Sequence, residues 1–221
     1  MELYDVMRTA FTARQFTDEP LPDAVLGRIL DNARFAPSGG NRQGGHVIVV
    51  RDAATKHALG RLAIPAAKRY GAQVRAGENP WNTVIPSAVD AATIESPTPP
   101  PVLVETYARA SVVLVICVDL AVVASVDSGL DRVGVVSGAS IYPLVWNILL
   151  AARNEGYGGA LTTMPIKEEP GVNSLLGIPD GVAVAAVVPL GRPVKQLKKL
   201  RRKSVAEFVS RERWDGTPFT D

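Results

Sequence analysis

The chain has 221 residues, of which 47% are hydrophobic and 21% charged, and its 24 Lys and Arg against 22 Asp and Glu leave a formal net charge of +2. Enough apolar material is present to bury a core, so global disorder is excluded, and the small net charge gives no general reason to expect a polyanionic partner. The one cysteine, Cys117, excludes an internal disulfide and a cysteine-rich zinc cluster.

In chain order, Leu3, Val6, Met7, Ala10 and Phe11 fall at helical spacing over residues 2–11. The segment 17–22 breaks that helix, and Pro22-Asp23 opens a second, with Val25, Leu26, Ile29, Leu30 and Ala33 as its apolar face. Ala36-Pro-Ser-Gly-Gly-Asn41 stops it, and His46 to Val50 reads as a short strand. His57 lies in a polar helical stretch.

From about 65 to 107 the sequence is rich in Ala, Pro, Gly and polar residues, including Ser96-Pro-Thr-Pro-Pro-Pro101. It predicts a helix followed by a long irregular insertion, a candidate lid within a single domain spanning 1–221. Residues 111–118 predict a buried strand, with Cys117 as a small core hydrophobe. A long helix is expected over roughly 131–155, with Val136, Ile141, Leu144, Val145, Ile148, Leu149 and Ala152 inward, and Gly156-Tyr-Gly-Gly159 ends it. A short helix from Val172 to Leu176 precedes a strand over Val182–Leu190, then a basic tract and a polar tail. Interleaved helices and strands favour an α/β or α+β sandwich around one sheet.

Absences narrow the chemistry. The only histidines are His46 and His57, in no metal-ligand spacing, so no His/Cys metal centre is expected, while an all-carboxylate site stays open. No Gly-x-Ser-x-Gly, Walker or Gly-x-Gly-x-x-Gly signature occurs. No apolar run reaches the length of a membrane span, and the first residues lack a signal-peptide core, which predicts a soluble, cytoplasmic protein with no membrane partner.

Without a glycine-rich phosphate loop, arginines must hold any phosphate-bearing cofactor. Arg8 and Arg14 flank Thr9 and Thr12, a set able to grip a phosphate, although two surface arginines near a turn would look the same. Ala36-Pro-Ser-Gly-Gly-Asn-Arg-Gln43 offers Ser38, Asn41 and Gln43 beside paired glycines, either a polar turn or a seat for a planar ligand. Tyr157-Gly-Gly-Ala-Leu-Thr-Thr163 is small enough to pack against a ring system, or is simply a helix exit. Lys195-Gln-Leu-Lys-Lys-Leu-Arg-Arg-Lys203 carries six cations in nine positions. It lacks interleaved aromatics, so it reads as a solvated segment lending one or two cations to a phosphate rather than a nucleic-acid patch.

Together these segments resemble the nitroreductase family of FMN flavoproteins. Arg8-Thr-Ala-Phe-Thr-Ala-Arg14-Gln-Phe16 with Asp18-Glu-Pro20 is similar to the family's opening Arg-Arg-Ser-x-Arg-x-Phe…Pro signature. Ile29-Leu-Asp-Asn-Ala-Arg-Phe-Ala-Pro-Ser-Gly-Gly-Asn-Arg-Gln43 resembles its Ala-Pro-Ser-x-x-Asn-x-Gln segment, the most specific match. Asn147–Ala152 with Gly156-Tyr-Gly158, then Leu175–Pro179 and Val187–Pro193, resemble the central helix and the last strand and turn. The chain departs from the pattern at Phe11, where a basic or polar residue is usual, and Arg8 lies earlier than the first expected arginine.

The resemblance implies an α+β fold with a central, mostly antiparallel sheet flanked by helices, in an interlocked homodimer with FMN at the interface. It implies that Arg8, Thr12, Arg14 and Arg202 or a neighbouring cation hold the phosphate. It places Pro37, Ser38, Gly39, Asn41 and Gln43 at the flavin from the other subunit, and Gly159, Ala160 and Leu161 beside the ring. The tail 210–221 would wrap the partner, and Trp81 or Tyr107 in the lid could stack on substrate. The implied chemistry is ping-pong: NADPH or NADH reduces the flavin, leaves, and a nitroaromatic, quinone or similar acceptor takes its place, with no obligatory protein acid or base. Flavin fragmentation, dehalogenation and a non-catalytic flavin-binding dimer are the alternatives.

Overall fold

A sheet with the strand order β1-β2-β4-β3 organises the chain, every neighbouring pair antiparallel: β1 Gly45–Val50, β2 Val112–Asp119, β3 Gly158–Gly159 and β4 Val182–Gly191. The computed structural model describes residues 1–96 and 102–220. β2 is central and buried along its length except at Asp119, which is why its sequence is a continuous apolar run rather than an alternation.

Successive side chains of β2 point to opposite faces and seed two cores. Val112, Leu114 and Ile116 pack with Leu26 and Ile29 of α2 (Asp23–Ala33) and with Val145 and Ile148 of α7 (Tyr142–Asn154). Val113, Val115 and Cys117 face Leu59 of α3 (Ala53–Leu62), Tyr107 of α6 (Val102–Arg109) and Val172 of α8 (Glu169–Leu176). The result is the α+β arrangement expected from sequence, helices on both faces of an antiparallel sheet. Cys117 is the core residue expected; burial, with a smaller contribution from Glu169, pushes its thiol up to about 11.

Two expectations are corrected. The helix read over 131–155 starts only at Tyr142, preceded by a tight 3-10 turn at Val136–Ser140. Pro143 suits the first helical turn and cannot lie in an interior. Upstream, the Asp127 carboxylate accepts the backbone N–H groups of Val135 at 2.8 Å and Val136 at 3.3 Å and pairs with Arg132 at 2.8 Å. These bonds, the Val135 N–H foremost, hold Asp127 well below the usual carboxylate range and fold the preceding segment as a loop.

The second correction concerns 65–107. After α4 (Ile64–Arg75) the irregular stretch covers 76–90, followed by α5 (Ala91–Glu95) and, after a gap in the described residues, by α6. The proline run expected at 96–101 lies outside the described residues apart from Ser96. The 76–90 loop has its own fastening: the Glu78 carboxylate accepts bonds from Gln73 Nε2 at 3.1 Å, Ser87 Oγ at 2.6 Å and the Ala88 N–H at 2.7 Å.

Candidate functional site

Four chain segments meet at one edge of the sheet. α1 (Leu3–Thr9) ends at Thr9, whose carbonyl accepts a bond from Gln196 Nε2 at 2.9 Å and whose hydroxyl accepts one from Arg153 Nε at 3.0 Å. The N–H of Ala13 donates to the Gly159 carbonyl at 2.9 Å, beside a bridge between Thr12 and Gly159. The end of α1, the last turn of α7, β3 and the segment after β4 thereby enclose a cavity of about 140 Å³. Thr12, Gln196, Arg153 and Arg202 supply its polar wall, and Phe11, Trp146, Leu149 and Leu161 its apolar one.

Among the described residues, no Asp or Glu lines this cavity. Among the described residues, neither arginine pairs with a carboxylate: Arg153 bonds Thr9, and Arg202 Nη1 bonds the Arg201 carbonyl at 2.8 Å. Two unneutralised guanidinium groups on one concavity create a positive potential that attracts an anion. Apolar and aromatic surface next to that potential suits a molecule with a phosphate at one end and a planar ring at the other. The residues present therefore fit FMN.

A second cavity, of about 260 Å³, lies on the other side of the 159–162 segment, lined mostly by Ala67, Tyr70, Leu103, Tyr107, Met164 and Pro189, with Arg14 at its polar edge. Ala10, Phe11 and Thr12 line the first cavity and Arg14 the second, so the chain passes from one to the other at buried Ala13.

Most residues singled out from sequence fall into three groups, while Gly39 and Asn41 line none of these cavities. Thr12, Gly159, Leu161 and Arg202 share the first cavity. Arg14 and Ala160 border the second instead. Pro37, Ser38 and Gln43 line a third, of about 300 Å³, with Leu30, Arg34 and Leu144. Within that turn the Ser38 hydroxyl accepts the Gln43 N–H at 3.0 Å and the Gly39 N–H donates to Ser140 Oγ at 3.0 Å. Gly40, Asn41 and Gln43 all have left-handed backbone, which explains the glycine and asparagine there.

Three placements depart from the expectations. Arg8 is exposed and leans over the Tyr4 ring at 6.0 Å, outside the first cavity, because it sits on the solvent side of α1. Tyr107, expected to stack on substrate from a lid, is a core residue of α6 that is 1% exposed, and burial pushes its hydroxyl up to about 12. Trp81 stacks on the Arg69 guanidinium at 4.4 Å and lies outside both cavities at the sheet edge. Gly159 lacks a side chain for a reason other than a ring: a Cβ there would meet Leu190 and, at 2.6 Å, the Pro189 carbonyl of β4.

Sequence reading missed Trp146, Arg153 and Gln196. A signal existed for the first two. Trp146, Leu149 and Arg153 are spaced i, i+3, i+7, a second helical stripe one position round from the core stripe Val145–Ile148–Ala152. Among the described residues, no cluster of His, Cys, Asp or Glu could hold a metal ion, and no helix is long and apolar enough to cross a membrane.

Residues 7–192 match the sequence pattern of the nitroreductase family, and the chain belongs to that family. It is 25% identical over 197 residues to a protein of Methanothermobacter thermautotrophicus described provisionally as an NADH dehydrogenase/NAD(P)H nitroreductase, a match covering 88% of this chain and 79% of that one. The fold is shared with oxidized iodotyrosine deiodinase bound to FMN and 3-iodo-L-tyrosine, at 21% identity and a TM-score of 0.68, covering 96% of this chain and 99% of the other. It is shared too with NfrA2 of B. megaterium, at 20% identity and a TM-score of 0.69, covering 97% and 76%.

Proposed function

We propose that this nitroreductase-family protein is an FMN-dependent oxidoreductase that takes electrons from NADPH or NADH and passes them to a nitroaromatic, quinone or similar small acceptor. The observation that carries the reading is the first cavity, where unpaired cationic donors adjoin an apolar, aromatic wall. Bound FMN would supply the redox chemistry, alternating between donor and acceptor in a ping-pong cycle.

The chain's own residues would bind and orient. Thr12 would give a hydroxyl donor and Arg202 a charge to the phosphate, while Leu161, 38% exposed beside buried Gly159 and Ala160, would present its side chain to the ring. Trp146 and Leu149 would exclude water from that side. Arg14, across the 159–162 segment, would serve the ring or the acceptor rather than the phosphate. Catalysis needs no protein acid or base on this reading.

On the same reading the protein would act as a homodimer. Pro37, Ser38 and Gln43 line a cavity different from that of Thr12, so if they serve the same flavin, a second copy would bring them to it. The tail, closed on itself by a bridge between Ser210 and Pro218, leaves Trp214 99% exposed, and a partner subunit would cover it.

The deciding test is the visible spectrum of the purified protein, followed by anaerobic NADPH or NADH. Flavin bands that bleach support the reading. A colourless protein that takes up no added FMN overturns it. The likeness to iodotyrosine deiodinase gives dehalogenation as the second reading, favoured if the reduced protein releases iodide from 3-iodo-L-tyrosine faster than it reduces a quinone.

A further inference from the structure

The departure at the start of the chain leaves a question that the first cavity answers. Ala10 and Phe11, which line it, bring no charge to the N-terminal side of a site built for an anion. Arg153 reaches the same cavity from the last turn of α7. We propose that Arg153 is the principal anchor of the FMN phosphate in this chain, supplying from α7 the charge that Ala10 and Phe11 do not bring to the cavity. This rests on the flavin reading above.

Four observations support the assignment. First, Arg153 is oriented: its Nε donates to Thr9 Oγ1, and Thr9 is itself held by Gln196 on its carbonyl and by its own hydroxyl bond to the Asp5 carbonyl. Second, among the described residues the two terminal nitrogens of Arg153 make no hydrogen bond, which leaves a paired set of donors for two phosphate oxygens. Third, Arg153 is half-buried while Arg202 is exposed, so solvent and salt screen Arg153 less. Fourth, Arg202 already spends one terminal nitrogen on the Arg201 carbonyl. A role confined to the helix end is the ordinary use of an arginine in a last turn. It does not account for a guanidinium aimed into a cavity without an acidic partner.

The test compares FMN with riboflavin, which differ only in the phosphate. The full-length protein is freed of flavin and titrated with each, following the quenching of flavin fluorescence, as wild type and as Arg153→Met, Arg153→Lys and Arg202→Met. Wild type should prefer FMN. Arg153→Met should weaken FMN binding by about 10- to 100-fold while leaving riboflavin affinity unchanged. Arg153→Lys should recover part of the preference, and Arg202→Met should lose less than Arg153→Met.

An Arg153→Met protein that keeps the wild-type preference overturns the assignment and leaves the flavin reading intact. So does equal weakening toward both flavins, which would mark a structural role through Thr9. Wild type that binds both flavins equally retains the flavin and removes the phosphate anchor. Wild type that binds neither overturns the flavin reading, and the assignment falls with it. Should Arg153→Met fail to melt cooperatively, Arg153→Lys and Arg153→Gln are judged on the same ratio.

Discussion

The two cavities on either side of the 159–162 segment differ in what they can recognise, although one short stretch of chain walls them both. On the α7 side, Arg153, Arg202 and Thr12 make a small, cationic concavity. On the α6 side, Tyr70, Leu103, Tyr107 and Met164 make a larger and mostly apolar one, with Arg14 at its edge. The first can discriminate chiefly by charge, which is strong and directional, and the second chiefly by shape and apolar area, with Arg14 as its one cation. Residues close in sequence thus border different cavities. Thr12 and Arg14 are two positions apart, and Ala13, tied by its N–H to Gly159, marks the crossing between them.

The largest expected effects come from uncoupling the two sides through their cores. Ile148→Ala and Leu59→Ala each empty a fully buried site, one under α7 and one in α3, and each should cost about 2–5 kcal/mol in denaturant unfolding. Only Ile148→Ala should also weaken FMN binding, because α7 carries Arg153. Equal loss of FMN affinity in both would break the comparison.

Gly159→Ala attacks the divider itself. Its Cβ would press on β4, and a destabilisation of about 1–3 kcal/mol is expected, measured as a fall in melting temperature. Next in size, Thr12→Val should lower FMN affinity by about 2- to 10-fold, the worth of one hydrogen bond. Arg14→Met should leave the FMN-to-riboflavin preference unchanged and alter KM for the acceptor. A swap of those two outcomes would show that the cavities had been assigned the wrong way round.

The smallest effect concerns acid. Asp127 is held below the usual carboxylate range by the folded loop, so the stability it contributes is complete above the ordinary carboxylate value near pH 4 and is lost as pH falls toward its lower folded value. Asp127→Asn should therefore flatten the dependence of melting temperature on pH below about 4. A wild-type slope that persists in the variant would assign the acid sensitivity elsewhere.

Much of the fold was legible in residue patterns because the signals are local. The run from Val112 to Val118 is short, continuously apolar and rich in β-branched residues, which favours a strand buried on both faces, and the spacing of Leu26, Ile29 and Ala33 favours one side of a helix. The late start of α7 was less so, since the bonds that the Val135 and Val136 N–H groups donate to Asp127, folding the preceding loop, span eight and nine residues and leave no periodic trace. Tyr107 looked available in a polar, proline-rich stretch and proved to be core, because burial depends on which face of α6 meets β2.

The candidate site divides in the same way. Sequence by itself determined the family resemblance, the absence of a glycine-rich phosphate loop and the need for arginines, since these depend on residue type and order. Only the tertiary structure decided which arginines reach the first cavity. Arg8 lies at the right end of the chain but turns to solvent, whereas Arg153 lies 144 positions from the Thr9 that orients it. A guanidinium binds an anion through directional bonds over a few ångströms, and that proximity is created only when α1, α7 and the segment after β4 pack together.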